Sequence, residues 1–194
     1  MLIFLMPTNP NPILVIVHPG SACGSADMNI GRDNADYLRS EMTALILGWE
    51  GGVVVIDSDL SDELCETWRR SHRELGEAIE QAVDRAKSQG KLALRVVGND
   101  GGEYTQMDAI RDIVHTHQWD PTHIAVTLTG AWVDNDGDGC VHSVREVLEK
   151  LGFSPQIEAA MDLDFDSDES PEEDEEEEEI PTPSVQPARR HRIR

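Results

Sequence analysis

Four short apolar runs, at 13–17, 53–56, 92–97 and 124–128, limit this chain to few folds. The first is rich in β-branched residues, and each is bounded by turn residues, with Gly51-Gly52 ahead of the second. None alternates cleanly between apolar and polar positions, and only Thr127 interrupts the fourth. Continuous apolar runs of this length predict strands covered on both faces, as in a parallel sheet.

The segments between them have helical spacing. In 33–47, Tyr37, Leu38, Met42, Leu45 and Ile46 form a stripe, with Asp33 expected as the N-cap and Asp36 completing a variant capping box. A stretch over 61–88 opens with Asp62 and Glu63 and carries Leu64, Cys65, Trp68, Leu75, Ile79 and Val83 inward, and its length predicts a break near Gly76. Helices are also expected over 105–117, with Met107, Ile110, Ile113 and Val114 inward, and over 143–151, stopped by Gly152. Residues 156–160 are the candidate fifth strand. This order predicts an α/β fold: a three-layer sandwich around a mostly parallel sheet of about five strands.

The chain carries 38 acidic and 16 basic side chains, a formal net charge of −22. That balance disfavours a nucleic-acid partner and an anionic membrane surface. The charge is uneven. Residues 162–179 hold 13 carboxylates and no base, and Arg189, Arg190, Arg192 and Arg194 follow. Low hydrophobicity and like-charge repulsion predict that 162–194 is a disordered acidic tail, either a solubilising segment or a lure for a basic protein partner. The expected organisation is an N-terminal extension over 1–12, one α/β domain over 13–161, and the tail. Three cysteines without a CxxC pair indicate a reducing compartment. The first seven residues lack the basic region of a signal peptide, and no segment approaches a membrane span, so the cytoplasm is the expected location.

Ligands of open parallel sheets bind beyond the carboxyl ends of the strands. Four candidate loops lie there. The first holds His18, Gly20, Ser21, Cys23, Gly24 and Ser25, the second Asp57, and the third Asn99 and Asp100. The fourth runs from Gly130 and Trp132 to Cys140 and His142. Gly20, Ser21, Gly24 and Ser25 would let backbone N–H groups face an anion, and their register resembles the phosphate loop of the low-molecular-weight tyrosine phosphatases. His18 stands where that family has its nucleophilic Cys, and Gly24 where it has its Arg, which argues against phosphatase activity. Asp134, Asp136 and Asp138 read D-x-D-x-D-G, the opening of a calcium loop, but Arg145 occupies the place of the closing bidentate carboxylate. They are a solvated acidic loop or a weak calcium site; no other cofactor is expected. His18, Cys23, Cys140 and His142 would make a zinc set only if their loops adjoin.

Thr129-Gly130 ends the fourth run, Cys140-Val141 opens the helix after it, and Leu151-Gly152-Phe153 closes that helix. This arrangement resembles the isochorismatase-like cysteine hydrolases, whose nucleophilic Cys follows the fourth strand in a Gly…Cys-Val setting. The resemblance extends to the element order over 13–162 and implies a Cys140 nucleophile, favoured as thiolate by a helix N-terminus. Gly130 and N–H groups near Cys140 would then contribute an oxyanion hole. The family's catalytic Asp after the first strand is replaced by His18, and its catalytic Lys after the third has no counterpart. Two expectations follow. The first is a non-catalytic or divergent member acting by binding, with a small-molecule ligand or a protein partner. The second is a hydrolase of a small amide or ester, with His18 as surrogate base for Cys140.

Overall fold

The computed structural model describes residues 11–23, 30–58, 72–99, 103–133 and 139–162. The tail from 163 onward, Cys65 and Trp68 lie outside the described residues.

Five strands form one sheet: β1 (Asn11–Val17), β2 (Gly52–Asp57), β3 (Ala93–Val97), β4 (Ile124–Gly130) and β6 (Gln156–Ile157). Their order is β3-β2-β1-β4-β6, and every pairing is parallel. Between them run α1 (Arg32–Gly48), α2 (Arg73–Ser88), α3 (Gln106–Thr116) and α4 (Cys140–Lys150). Past the end of β4, β5 (Trp132–Val133) pairs in parallel with β7 (Met161–Asp162). Of the fifth strand expected over 156–160, only Gln156–Ile157 pairs in the sheet; beyond it Ala159 turns the chain with a φ of 48°.

The pleat sorts the apolar runs into two layers. Leu14, Ile16, Val53 and Val55 face α1 and α2. Ile13, Val15, Val17, Val54, Ile56, Val126 and Leu128 face α3 and α4. This is why the runs 13–17 in β1 and 53–56 in β2 carry no polar residue: both faces are covered, and each fully buried aliphatic side chain contributes about 1.5–3 kcal/mol. The edge strand β3 departs from that expectation. Arg95 and Val97 are exposed, and the Arg95 Nε pairs with Asp57 Oδ2 at 2.6 Å while its guanidinium also reaches Glu80. Partial burial works against the charged guanidinium, but these two carboxylates outweigh it and hold Arg95 protonated.

The helices begin and end for local reasons. The N-terminus of α3 carries a capping box, with Asp108 N–H donating to Thr105 Oγ1 and Thr105 N–H to Asp108 Oδ2. The C-terminus of α1 is closed from outside: Arg85 of α2 donates to the carbonyls of Ile46 and Trp49. Three expectations are corrected here. Helix α1 starts at Arg32 behind Gly31, so Asp33 lies in the first turn and makes no side-chain cap. Tyr37 is 65% exposed, off the α1 stripe. Helix α2 begins at Arg73 behind non-helical His72 and runs through Gly76, so the expected break lies at His72, four residues ahead of Gly76.

Candidate functional site

Along the strand order, β1 leads into β2 and β3 on one side, while β4 lies on its other side. The crossovers from β1 and β4 leave to opposite faces, so the topological switch point lies between the ends of these two strands, where Val17 is in register with Gly130.

A Cβ on Gly130 would lie 2.5 Å from the Val17 carbonyl oxygen and 2.6 Å from Val141 Cγ2. Only glycine lets the first turn of α4 pack this closely on the β1–β4 pair. Cys140, adjacent to Val141, is thereby brought to the strand end from which His18 emerges. Cys140 is the first residue of α4 and is buried, and its Sγ lies 4.0 Å from the Trp132 carbonyl oxygen. Half-buried Trp132 packs against the apolar clusters on both faces of the sheet.

His18 adopts a φ of 47°, a left-handed conformation that costs a non-glycine residue energy. It is 1% exposed, and its Nε2 lies 2.6 Å from the Gly98 carbonyl oxygen. A carbonyl only accepts, so Nε2 carries the proton and donates. Gly98 follows β3, so the ring spans the end of β2, whose Ile56 carbonyl accepts the His18 N–H at 2.8 Å. The first loop then turns on itself, with Ser21 N–H donating to the His18 carbonyl and Cys23 N–H to that of Gly20. Arg39 of α1 donates to the Ala22 carbonyl and pairs with Asp36, whose carboxyl that bond holds below its ordinary range.

The predicted site residues distribute as follows. His18, Gly20, Ser21, Asp57, Asn99, Gly130, Trp132 and Cys140 all lie at the carboxyl edge. Asp57 is tied to Arg95, and the Asn99 backbone bridges to Thr105. Gly24, Ser25, Asp100 and the calcium-loop residues Asp134, Asp136 and Asp138 lie outside the described residues. The zinc set is not assembled. Cys23 packs in the α1–α2 layer and Cys140 in the α3–α4 layer, and no group of three or more metal-ligating side chains occurs among the described residues. No helix among them is long and apolar enough to cross a membrane.

One polar residue at this edge escapes the sequence reading. Gln106, the first residue of α3, is 4% exposed, and its Oε1 has no hydrogen-bond partner. The stripe of α3 is Gln106, Ala109, Ile110, Ile113 and Val114, with Met107 half-buried at its margin. A glutamine at the head of an apolar i, i+3, i+4 stripe is the signal that could have found it. Two clefts lie elsewhere: one of about 560 Å³ between α1 and the start of α2, lined by Arg39, Thr43 and His72, and one of about 400 Å³ at the amino edge, lined by Lys91, His117 and Trp119.

Comparison of the chain with protein-family models, curated proteins and solved structures finds no match.

Proposed function

We propose that this chain is a small-molecule-binding α/β protein of isochorismatase-like ancestry whose ligand sits at the carboxyl edge, where β1 and β4 part, and that it does not use Cys140 as a nucleophile. The observation that carries this reading is the setting of the sulfur. Cys140 is 3% exposed, and its S–H points at the Trp132 carbonyl oxygen 4.0 Å away. A carbonyl dipole beside sulfur favours the thiol over the thiolate, and burial does the same, which opposes the helix N-terminus. The arrangement at the switch point supports a binding role: a strained His18, a glycine-mediated approach at Gly130, and five parallel strands ending on one edge.

A second reading has its own support. The Gly98 carbonyl holds His18 Nε2 as a donor and orients the ring; orientation of a base by a third group is what a Cys–His hydrolase acting on a small amide or ester requires.

Alkylation of Cys140 by iodoacetamide against pH separates the two. The binding reading expects a native-state rate at least about a hundredfold below that of the unfolded chain, with no inflection below pH ~8. Rapid alkylation with an inflection below pH ~7 would overturn it in favour of the hydrolase.

A further inference from the structure

We propose that the cleft at the amino edge of the sheet is the docking site of the chain's own apolar run 1–6, which folds back ahead of Asn11 and buries its side chains against Leu92, Trp119 and Ile124. The proposal concerns the opposite edge from the one read above as a ligand site, and it stands independently of that reading.

The cleft, of about 400 Å³, opens where β1, β2 and β4 begin and where the chain leaves α2 and α3. Its floor is apolar, formed by Ile13, Leu92, Trp119 and Ile124. All four belong to or pack on the α3–α4 layer of the core. Leu92 and Ile124 are only half-buried, so part of their apolar surface is left uncovered. The rim is partly engaged already, since Lys91 Nζ donates to the Glu50 carbonyl. A helix about 10 Å across would fill such a volume with roughly one turn. The cleft therefore suits a few large side chains and not a whole element.

Residues 1–10 lie outside the described residues, and their sequence is Met-Leu-Ile-Phe-Leu-Met-Pro-Thr-Asn-Pro. The first six side chains are all large and apolar, and leaving them in water forfeits the gain from burying them. The run is also tied to the cleft. Asn11 itself lines it, and the Asn11 N–H is anchored on the His123 carbonyl at 2.8 Å. Only residues 7–10 separate Asn11 from the run, a tether of at most about 14 Å when fully extended. β1 leads away from the amino edge, so the chain must reverse ahead of Asn11 to reach the cleft. Pro7, Asn9 and Pro10 carry that signal, because proline fixes φ and Asn-Pro favours the start of a turn. A flexible tether this short holds the run at an effective concentration in the millimolar range. A second copy at the micromolar concentrations of a dilute solution does not compete with it, which makes the chain's own run the occupant.

The test is NMR on the full chain, with thermal unfolding beside it. Nuclear Overhauser contacts are expected from the side chains of the run, Phe4 foremost, to the methyl groups of Leu92 or Ile124. The triple variant Ile3→Ser, Phe4→Ser, Leu5→Ser keeps the core intact and is expected to fold. It should shift the backbone amides of Gly51, Gly52 and Leu92 and lower the melting temperature by at least about 3 °C. Random-coil shifts throughout 1–6, with amino-edge amides that the triple variant leaves unmoved, would overturn the proposal. So would contacts from the run that fall on the α1–α2 cleft or the carboxyl edge. A mixture of isotope-labelled and unlabelled protein tests the occupant. Contacts that appear only between the two populations would assign the cleft to a second copy and overturn the intramolecular assignment.

Discussion

His18 Nε2 donates to the carbonyl oxygen of Gly98 at 2.6 Å, joining residues that follow β1 and β3 across the end of β2. The bond is buried, and it holds a residue whose backbone lies at a φ of 47°. Removing the ring leaves the Gly98 carbonyl without its partner and opens a cavity. His18→Ala is therefore expected to cost about 2–4 kcal/mol in urea unfolding. His18→Asn is expected to cost less, by about 1 kcal/mol, because asparagine tolerates the left-handed region. Equal losses for the two would mean that the backbone strain plays no part.

Gly130 makes a sharper case. The nearest obstacle to a Cβ is backbone, the Val17 carbonyl oxygen at 2.5 Å, and the next is a side chain, Val141 Cγ2 at 2.6 Å. Gly130→Ala is expected to destabilise by about 3 kcal/mol or more, since overpacking that must move a strand lies at the upper end of the usual range. Adding Val141→Ala removes only the side-chain obstacle. The double variant should recover little, and full recovery of the melting temperature would show that β1 and β4 yield at this point.

How much of this was legible in the sequence varies from place to place. The strands at 13–17 and 53–56 declare themselves because both of their faces are buried, which leaves no room for a polar residue. β3 is less plain: as the edge strand it exposes Arg95, whose partners Asp57 and Glu80 come from other elements. The carboxyl edge could be expected to gather His18 and Cys140, because a parallel sheet sends every strand end to one side. That Cys23 and Cys140 lie in opposite layers could not be read, since it depends on which face each crossover takes. Gln106 was missed for a related reason. Met107 is the more apolar neighbour, but helix phase turns Gln106 inward.

The capping box at α3 links helix stability to the titration of its own carboxylate. Thr105→Ala removes the side chain that accepts the Asp108 N–H, and caps of this kind are worth about 0.5–2 kcal/mol. The same change is expected to raise the Asp108 carboxyl. It is held below its ordinary value by hydrogen bonds first from the Thr105 N–H and then from the Thr105 hydroxyl, with Arg111 adding to both. Chemical denaturation and a carboxyl-resolved NMR titration read the two effects separately. Loss of stability with an unmoved Asp108 would show that the cap and the carboxylate act independently.

The turn ahead of β4 supplies a pH prediction with a definite sign. The carboxylate of Asp120 accepts from the Thr122 hydroxyl at 2.7 Å and from the Thr122 N–H at 2.8 Å, and its other oxygen lies 3.0 Å from His123 Nδ1. These contacts, the Thr122 hydroxyl foremost, lower its pKa to about 2. In the unfolded chain the same carboxyl titrates near 3.9. Above that value both states are ionised, and the stabilisation from these bonds is fully present. As pH falls from about 3.9 toward about 2, the unfolded state takes up a proton that the folded state refuses, and the contribution is lost. The Asp120 side-chain carbon of the folded protein is therefore expected to titrate near the lower value. Thr122→Val, which removes the hydroxyl but keeps the N–H, should move that inflection up toward the ordinary range. An inflection near 4 in the native protein would mean that the Thr122 bonds do not form in solution.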